Sequence, residues 1–104
     1  MRIVLLAAAI MAAGSAGAAQ PDLVTTSGFG CRDLATFDRA LEFAQADDRV
    51  AFEKFLGAMT ESGECRGMKI GDQVYIEDVV FNGPICARPK GETVCFWSSP
   101  DLIR

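Results

Sequence analysis

Four cysteines, Cys31, Cys65, Cys86 and Cys95, set the terms for this chain. No two of them stand at the C-x-x-C spacing of zinc ribbons or thioredoxin-like sites, and the sequence contains no histidine. Cys–His metal centres, catalytic Cys–His pairs, Ser–His triads and imidazole proton switches are therefore all excluded. An even number of cysteines in so short a chain reads instead as a disulfide framework, which requires an oxidising compartment. Three pairings are open at this point.

The beginning of the chain predicts how such a compartment is reached. Met1-Arg2 is a short positive start, Ile3 to Ala13 is an unbroken apolar run, and Gly14 to Ala19 are all small residues. This is the three-part pattern of a cleavable signal peptide over residues 1–19. The run is too short for a membrane-spanning helix, which needs about 20 apolar residues. Localisation is expected to be periplasmic or secreted, with no stable membrane anchoring. Without Arg2, nine of the ten basic residues remain against fourteen acidic ones, so the rest of the chain carries a net charge of −5. That balance excludes nucleic-acid binding through bulk positive charge. About 85 residues bury only a modest core, so covalent staples would help to hold it.

Residues 20–30 are turn-rich and weakly patterned, and are expected to form a flexible lead-in. Residues 31–104 are expected to be one domain, with a helical hairpin over 31–63 and a barrel over 64–104. Asp33 is placed to cap a first helix whose apolar stripe is Leu34, Phe37, Leu41 and Ala44. Ala46-Asp47-Asp48 interrupts it, and Asp47 or Asp48 starts a second helix striped by Phe52, Phe55, Leu56 and Met59. Gly63 suits the left-handed position that ends it. From Cys65 the apolar period falls to two. Strands are predicted over Glu64–Met68, Gln73–Phe81, Pro84–Pro89 and Glu92–Ser98, with Val74, Ile76 and Val80 on one face of the longest. Asn82-Gly83 marks a hairpin, and Ser99 to Ile103 form a closing turn.

If Lys90-Gly91 is a two-residue turn, Ala87 faces Val94, Cys86 faces Cys95, Ile85 faces Phe96 and Pro84 faces Trp97. One face of that hairpin is then wholly apolar, and a slip of one residue would mix the faces. Directly opposed cysteines come within bonding range. Cys86–Cys95 thus follows from the register and Cys31–Cys65 by elimination.

The segments "MKIGDQVYI", "ICARPKG", "VCFW" and "SSPDLI" together resemble a bacterial SH3-like domain over residues 64–104. With Gly30-Cys31, "SGEC" at Ser62 to Cys65 and "VYIED" at Val74 to Asp78, the chain also resembles a group of small exported proteobacterial proteins of unknown function. The resemblance implies an α+β fold, a helical hairpin packed on a small antiparallel SH3-like β-barrel. It also implies Cys31–Cys65 as the commoner bridge, with Cys86–Cys95 an addition. It implies no activity, cofactor or metal.

The only aromatic constellation with a functional reading is Trp97 with Tyr75, with Arg88 beside them, as a candidate partner-binding patch. The reading preferred over it is that the helical pair covers Trp97, because two apolar helix stripes need a surface to pack on. The adjacent carboxylates Glu77-Asp78 and Asp47-Asp48 do not converge as an acid–base pair would, because neighbours on a strand point to opposite faces. The sequence therefore predicts a monomeric, non-enzymatic binding or interaction module for an unknown protein or cell-wall component. A secreted inhibitor or effector that blocks a hydrolase through an exposed loop is the alternative.

Overall fold

The computed structural model describes residues 20–104, so the expected signal peptide lies outside the described residues. The chain is α+β. Among the described residues two helices, α1 (Leu34–Gln45) and α2 (Arg49–Glu61), accompany six strands: β1 (Asp22–Leu23), β2 (Gly28–Cys31), β3 (Cys65–Met68), β4 (Gln73–Val79), β5 (Ile85–Pro89) and β6 (Phe96–Ser98). A 3-10 turn, Pro100–Ile103, follows. No helix among the described residues is long and apolar enough to cross a membrane.

All six strands join one sheet in the order β1-β4-β5-β6-β2-β3, with every pairing antiparallel. The sheet is open, with β1 and β3 as its edges, so the closed barrel expected from the sequence is not what the strand pairing forms. It is nevertheless strongly curled. Met68 on one edge strand shares an apolar cluster with Val74, Ala87 and Phe96, and with Val24 next to the other edge strand; Leu102 of the 3-10 turn caps the cluster.

Residues 20–30 are not a loose lead-in. They carry β1 and most of β2, and Val24 is only 1% exposed. Its backbone binds on both sides, donating to the Asp72 carbonyl and accepting from the Gly71 amide, each at 2.9 Å. Composition hid this segment because β1 has only two residues and β2 alternates glycine with its larger side chains, which reads as turn.

The helices lie on the opposite face of the sheet. There Cys31, Cys65 and Phe37 form a second buried cluster, flanked by Phe29, Leu41, Leu56, Met59 and Trp97. Phe29 stacks between the helices, 5.4 Å from Phe37 and 5.7 Å from Phe52. On α1 the expected stripe turns slightly. Ala40, not Ala44, is the buried alanine. No residue of α2 is fully buried, because that helix packs on α1 and the edge strand β3 and leaves its far side in water. Asp48 caps α2, accepting from the Ala51 amide at 3.1 Å. Asp33 stands at the start of α1 but makes no side-chain cap; its backbone amide instead donates to the Glu64 carboxylate at 2.8 Å. Gly63 takes the left-handed conformation at φ 85°.

Both expected disulfides are present, Cys31–Cys65 and Cys86–Cys95. The register behind the second one differs by two residues. Cys86 faces Trp97, Ala87 faces Phe96 and Ile85 faces Ser98. The reason is the turn. The Glu92 amide donates to the Pro89 carbonyl, and Gly91 alone has positive φ, at 93°. A turn with positive φ only at its third residue has the wrong twist to close a two-residue hairpin. Residues 90–95 therefore form a longer loop. A shift of two keeps each side chain on its predicted face, and the bridge survives diagonally with the two Cα atoms 5.3 Å apart.

Candidate functional site

The outer face of the sheet separates the three residues singled out from the sequence. Trp97 pairs with Cys86 on one side and Cys31 on the other. It is half-buried and packs into the cluster beneath the helices. Its ring belongs to the helix–sheet contact.

Tyr75 and Arg88 face each other across β4 and β5, on the part of the same face that the helices leave uncovered. The Arg88 guanidinium lies over the Tyr75 ring at 4.8 Å. Its Nε donates to the Glu77 carboxylate at 2.6 Å and its Nη1 to the Glu92 carbonyl at 3.2 Å. Arg88 is thus held by a ring, a carboxylate and a carbonyl. The cluster braces the hairpin and ties down the long 90–95 loop.

Among the described residues the most exposed large apolar side chain lies at the far end of that hairpin. Val79, Val80 and Phe81 follow one another at 60%, 40% and 89% exposure. Alternation along the strand predicts Val80 on the same face as Val74 and Ile76. A β-bulge between Ile76 and Asp78 overturns that, since Ile76 faces Ala87 while Asp78 already faces Cys86. One extra residue reverses the alternation beyond it. Val80 then falls on the opposite side from Val74 and Ile76, beyond the reach of the core. The tip is a closed turn. The Gly83 amide donates to the Val80 carbonyl at 2.8 Å, the Val80 amide donates to the Pro84 carbonyl at 2.9 Å, and Asn82 has φ 56°. A side chain at position 83 would meet Val80 Cγ1 at 3.0 Å. The Asp78 carboxylate accepts from the Val79 amide at 2.8 Å. Three consecutive apolar residues are thus presented on backbone that is hydrogen-bonded through the turn.

A groove runs beside the tip. Phe37, Leu41 and Gln45 of α1 form one wall, and Asn82, Gly83 and Pro84 of the hairpin the other, around a cavity of about 290 Å³. A second cavity of about 180 Å³ shares Phe37, Leu41 and Ser99 with it and is lined further by Phe29 and Leu102. A third hollow, of about 350 Å³, sits at the interhelical turn between Asp47, Asp48 and Arg49. Among the described residues no cluster of carboxylates and cysteines is grouped as metal ligands would be. The Asp48 carboxylate is committed to its helix cap, that of Asp72 accepts from the Lys69 amide at 2.9 Å, and that of Glu77 holds Arg88.

The sequence signal for the tip was present. Val79-Val80-Phe81 breaks the alternation of a half-buried strand, and three apolar neighbours in a row cannot all face a core on one side. No family model, curated protein or solved structure matches the chain.

Proposed function

We propose that this protein is a periplasmic or secreted, non-enzymatic binding module whose contact element is the β4–β5 hairpin tip. The observation that carries the reading is the exposed run Val79-Val80-Phe81 on a hydrogen-bonded turn. Single apolar side chains on a surface are ordinary, but a contiguous apolar projection marks a place that another molecule covers. Burying the Phe81 ring alone would contribute about 2 kcal/mol to an interface. The two disulfides support the oxidising compartment. An SH3-like arrangement is our reading of the curled sheet, supported by the core that its two ends share.

A second reading, an inhibitor that blocks a hydrolase cleft, is favoured by the way the tip is held. Its turn is closed, and Arg88 and the Cys86–Cys95 bridge brace its base. A pre-organised loop loses little entropy on docking.

The test is affinity capture from periplasmic and cell-wall extracts with the oxidised protein, in parallel with Phe81→Ser. A partner retained by the parent and lost by the variant, with circular dichroism unchanged, is the expected result. Identical captures by the two proteins would remove the hairpin tip as the contact element. A hydrolase among the lost partners, inhibited by the parent and not by the variant, would select the second reading.

A further inference from the structure

The groove and its charges point to the chemistry of the partner. Resting on the hairpin as contact element, we infer that the surface takes a cationic amphipathic polypeptide segment. Its apolar side chains fill the groove between α1 and the hairpin, and its lysines or arginines lie against Asp38 and Asp78.

The shape comes first. The two cavities are neighbours that share Phe37, Leu41 and Ser99, one reaching Gln45 and the hairpin and the other Leu102, and Phe81 immediately precedes the Asn82–Pro84 wall. An α-helix is about 10–12 Å across, so the groove receives a row of side chains while the backbone of the segment stays outside. The lining is apolar with a few neutral polar groups; its one charge, Asp101, is paired with Arg104 at 2.9 Å.

The charges then decide among occupants. Asp38 follows Phe37 and stands three residues before Leu41, so helical spacing sets it beside the groove-lining stripe, and it is exposed. Asp78 shares the sheet face on which α1 lies, because it pairs with Cys86, which in turn pairs with Trp97. Neither carboxylate has an ion-pair partner among the described residues. Every cation of the two walls is taken. Arg39, the only basic residue of α1, pairs with Glu42 at 2.8 Å and covers the Phe43 ring. Arg88, the only one between Gln73 and Pro89, is held by Glu77. The charges left without an ion partner on the two elements that wall the groove are therefore negative: Asp38 and Asp78 stand outside the cavity lining, and one Asp78 oxygen accepts from the Val79 amide at 2.8 Å.

An anionic lipid surface would meet those two carboxylates with like charge. A second copy docking by a two-fold axis would bring the same carboxylates toward each other. A segment carrying Lys or Arg on either side of an apolar stripe matches both the groove and its rims.

The probes are a synthetic amphipathic Leu/Lys peptide, a Leu/Glu peptide of the same length and pattern, and vesicles of phosphatidylcholine alone or with phosphatidylglycerol. Titration calorimetry should find the Leu/Lys peptide bound and the Leu/Glu peptide not. Phe81→Ser should weaken the Leu/Lys complex by about tenfold or more. The pair Asp38→Asn with Asp78→Asn should weaken it by about threefold to tenfold and flatten its salt dependence. Equal binding of both peptides, or binding of the Leu/Lys peptide that ignores Phe81→Ser and the Asp changes alike, would overturn the inference. So would association with either vesicle, or a concentration-dependent dimer, that depends on Phe81. If an extract partner is lost with Phe81→Ser while the Leu/Lys peptide fails to bind, the hairpin stands as contact element and the cationic segment falls.

Discussion

Two aromatic residues show how much a side chain's setting outweighs its type. Trp97, the only tryptophan, is expected on the outer face of its hairpin, covered there by the helical pair in preference to a partner. It lies on that face, α1 and α2 come down on it, and Phe37, Leu41, Leu56 and Met59 share its cluster. Phe81, which the sequence reading left at the end of a strand, is 89% exposed. The two should therefore respond in opposite ways. Trp97→Ala removes a half-buried ring next to fully buried Cys31 and Phe37, and should cost about 2–3 kcal/mol, somewhat less than a fully buried aromatic. Phe81→Ser should change stability by less than about 0.5 kcal/mol. Urea unfolding followed by circular dichroism measures both, and a shift of the midpoint in the Phe81 variant comparable to that of Trp97→Ala would place Phe81 in the core. Gly30 carries a third expectation at this scale. A methyl group there would meet Ser98 Oγ at 2.5 Å and Phe96 Cβ at 2.8 Å. Gly30→Ala should destabilise by about 1–3 kcal/mol through overpacking between β2 and β6, read from the same unfolding curves.

At the scale of elements, what was legible followed from periodicity and what was missed followed from exceptions to it. The two helices, the break at Ala46 to Asp48, the left-handed Gly63 and the hairpins were readable, because each rests on a spacing of several residues or on a turn residue with one physical use. Ser62-Gly63 and Asp48 behave as their chemistry requires. The β-bulge at Glu77 was not readable, since an inserted residue leaves no mark except the apolar run beyond it, and that run is the candidate site. The strands β1 and β2 were not legible because Asp22-Leu23 is too short to alternate and Gly28-Phe29-Gly30-Cys31 lies in a glycine-rich stretch that reads as turn. A two-residue turn at Lys90-Gly91 predicts a register two residues away from the one formed, because positive φ at Gly91 alone requires a longer loop. The cap on α2 gives this scale its prediction. Asp48→Ala removes the only side chain that accepts from the Ala51 amide. It should lower stability by about 1 kcal/mol, while Asp33→Ala, at a position without a side-chain cap, should cost clearly less. Paired thermal melts of the two variants decide it, and equal losses would mean that Asp33 caps α1 in solution after all.

For the whole molecule, the two bridges divide the work of holding layers and holding an edge. Cys31–Cys65 joins β2 to β3 at the open edge of the sheet, at the point where the chain enters and leaves the helical pair. Both its sulfurs are buried in the cluster with Phe37, so the bridge is part of the helix–sheet packing as well as a chain closure. Cys86–Cys95 closes a local loop between β5 and β6 beside the candidate site. Sequence separations of 34 and 9 give, on the chain-entropy account, about 3.8 and about 2.7 kcal/mol of stabilisation relative to the open chain. The long bridge should exceed even that difference, because both of its cysteines are fully buried, whereas in the short bridge Cys86 is and Cys95 is only partly so. We therefore expect Cys31→Ser with Cys65→Ser to leave a chain that unfolds at markedly lower urea or fails to hold α1 and α2 on the sheet, with Trp97 fluorescence shifted toward that of a solvated indole. Cys86→Ser with Cys95→Ser should keep the Trp97 emission of the parent and lose less stability, and because the bridge braces the base of the hairpin it should weaken any contact made through Phe81. The two double variants, compared by emission maximum and urea midpoint under identical conditions, test the division directly. If the 86–95 variant is the less stable of the two, the helical layer does not depend on the long bridge, and the curled sheet alone carries the fold.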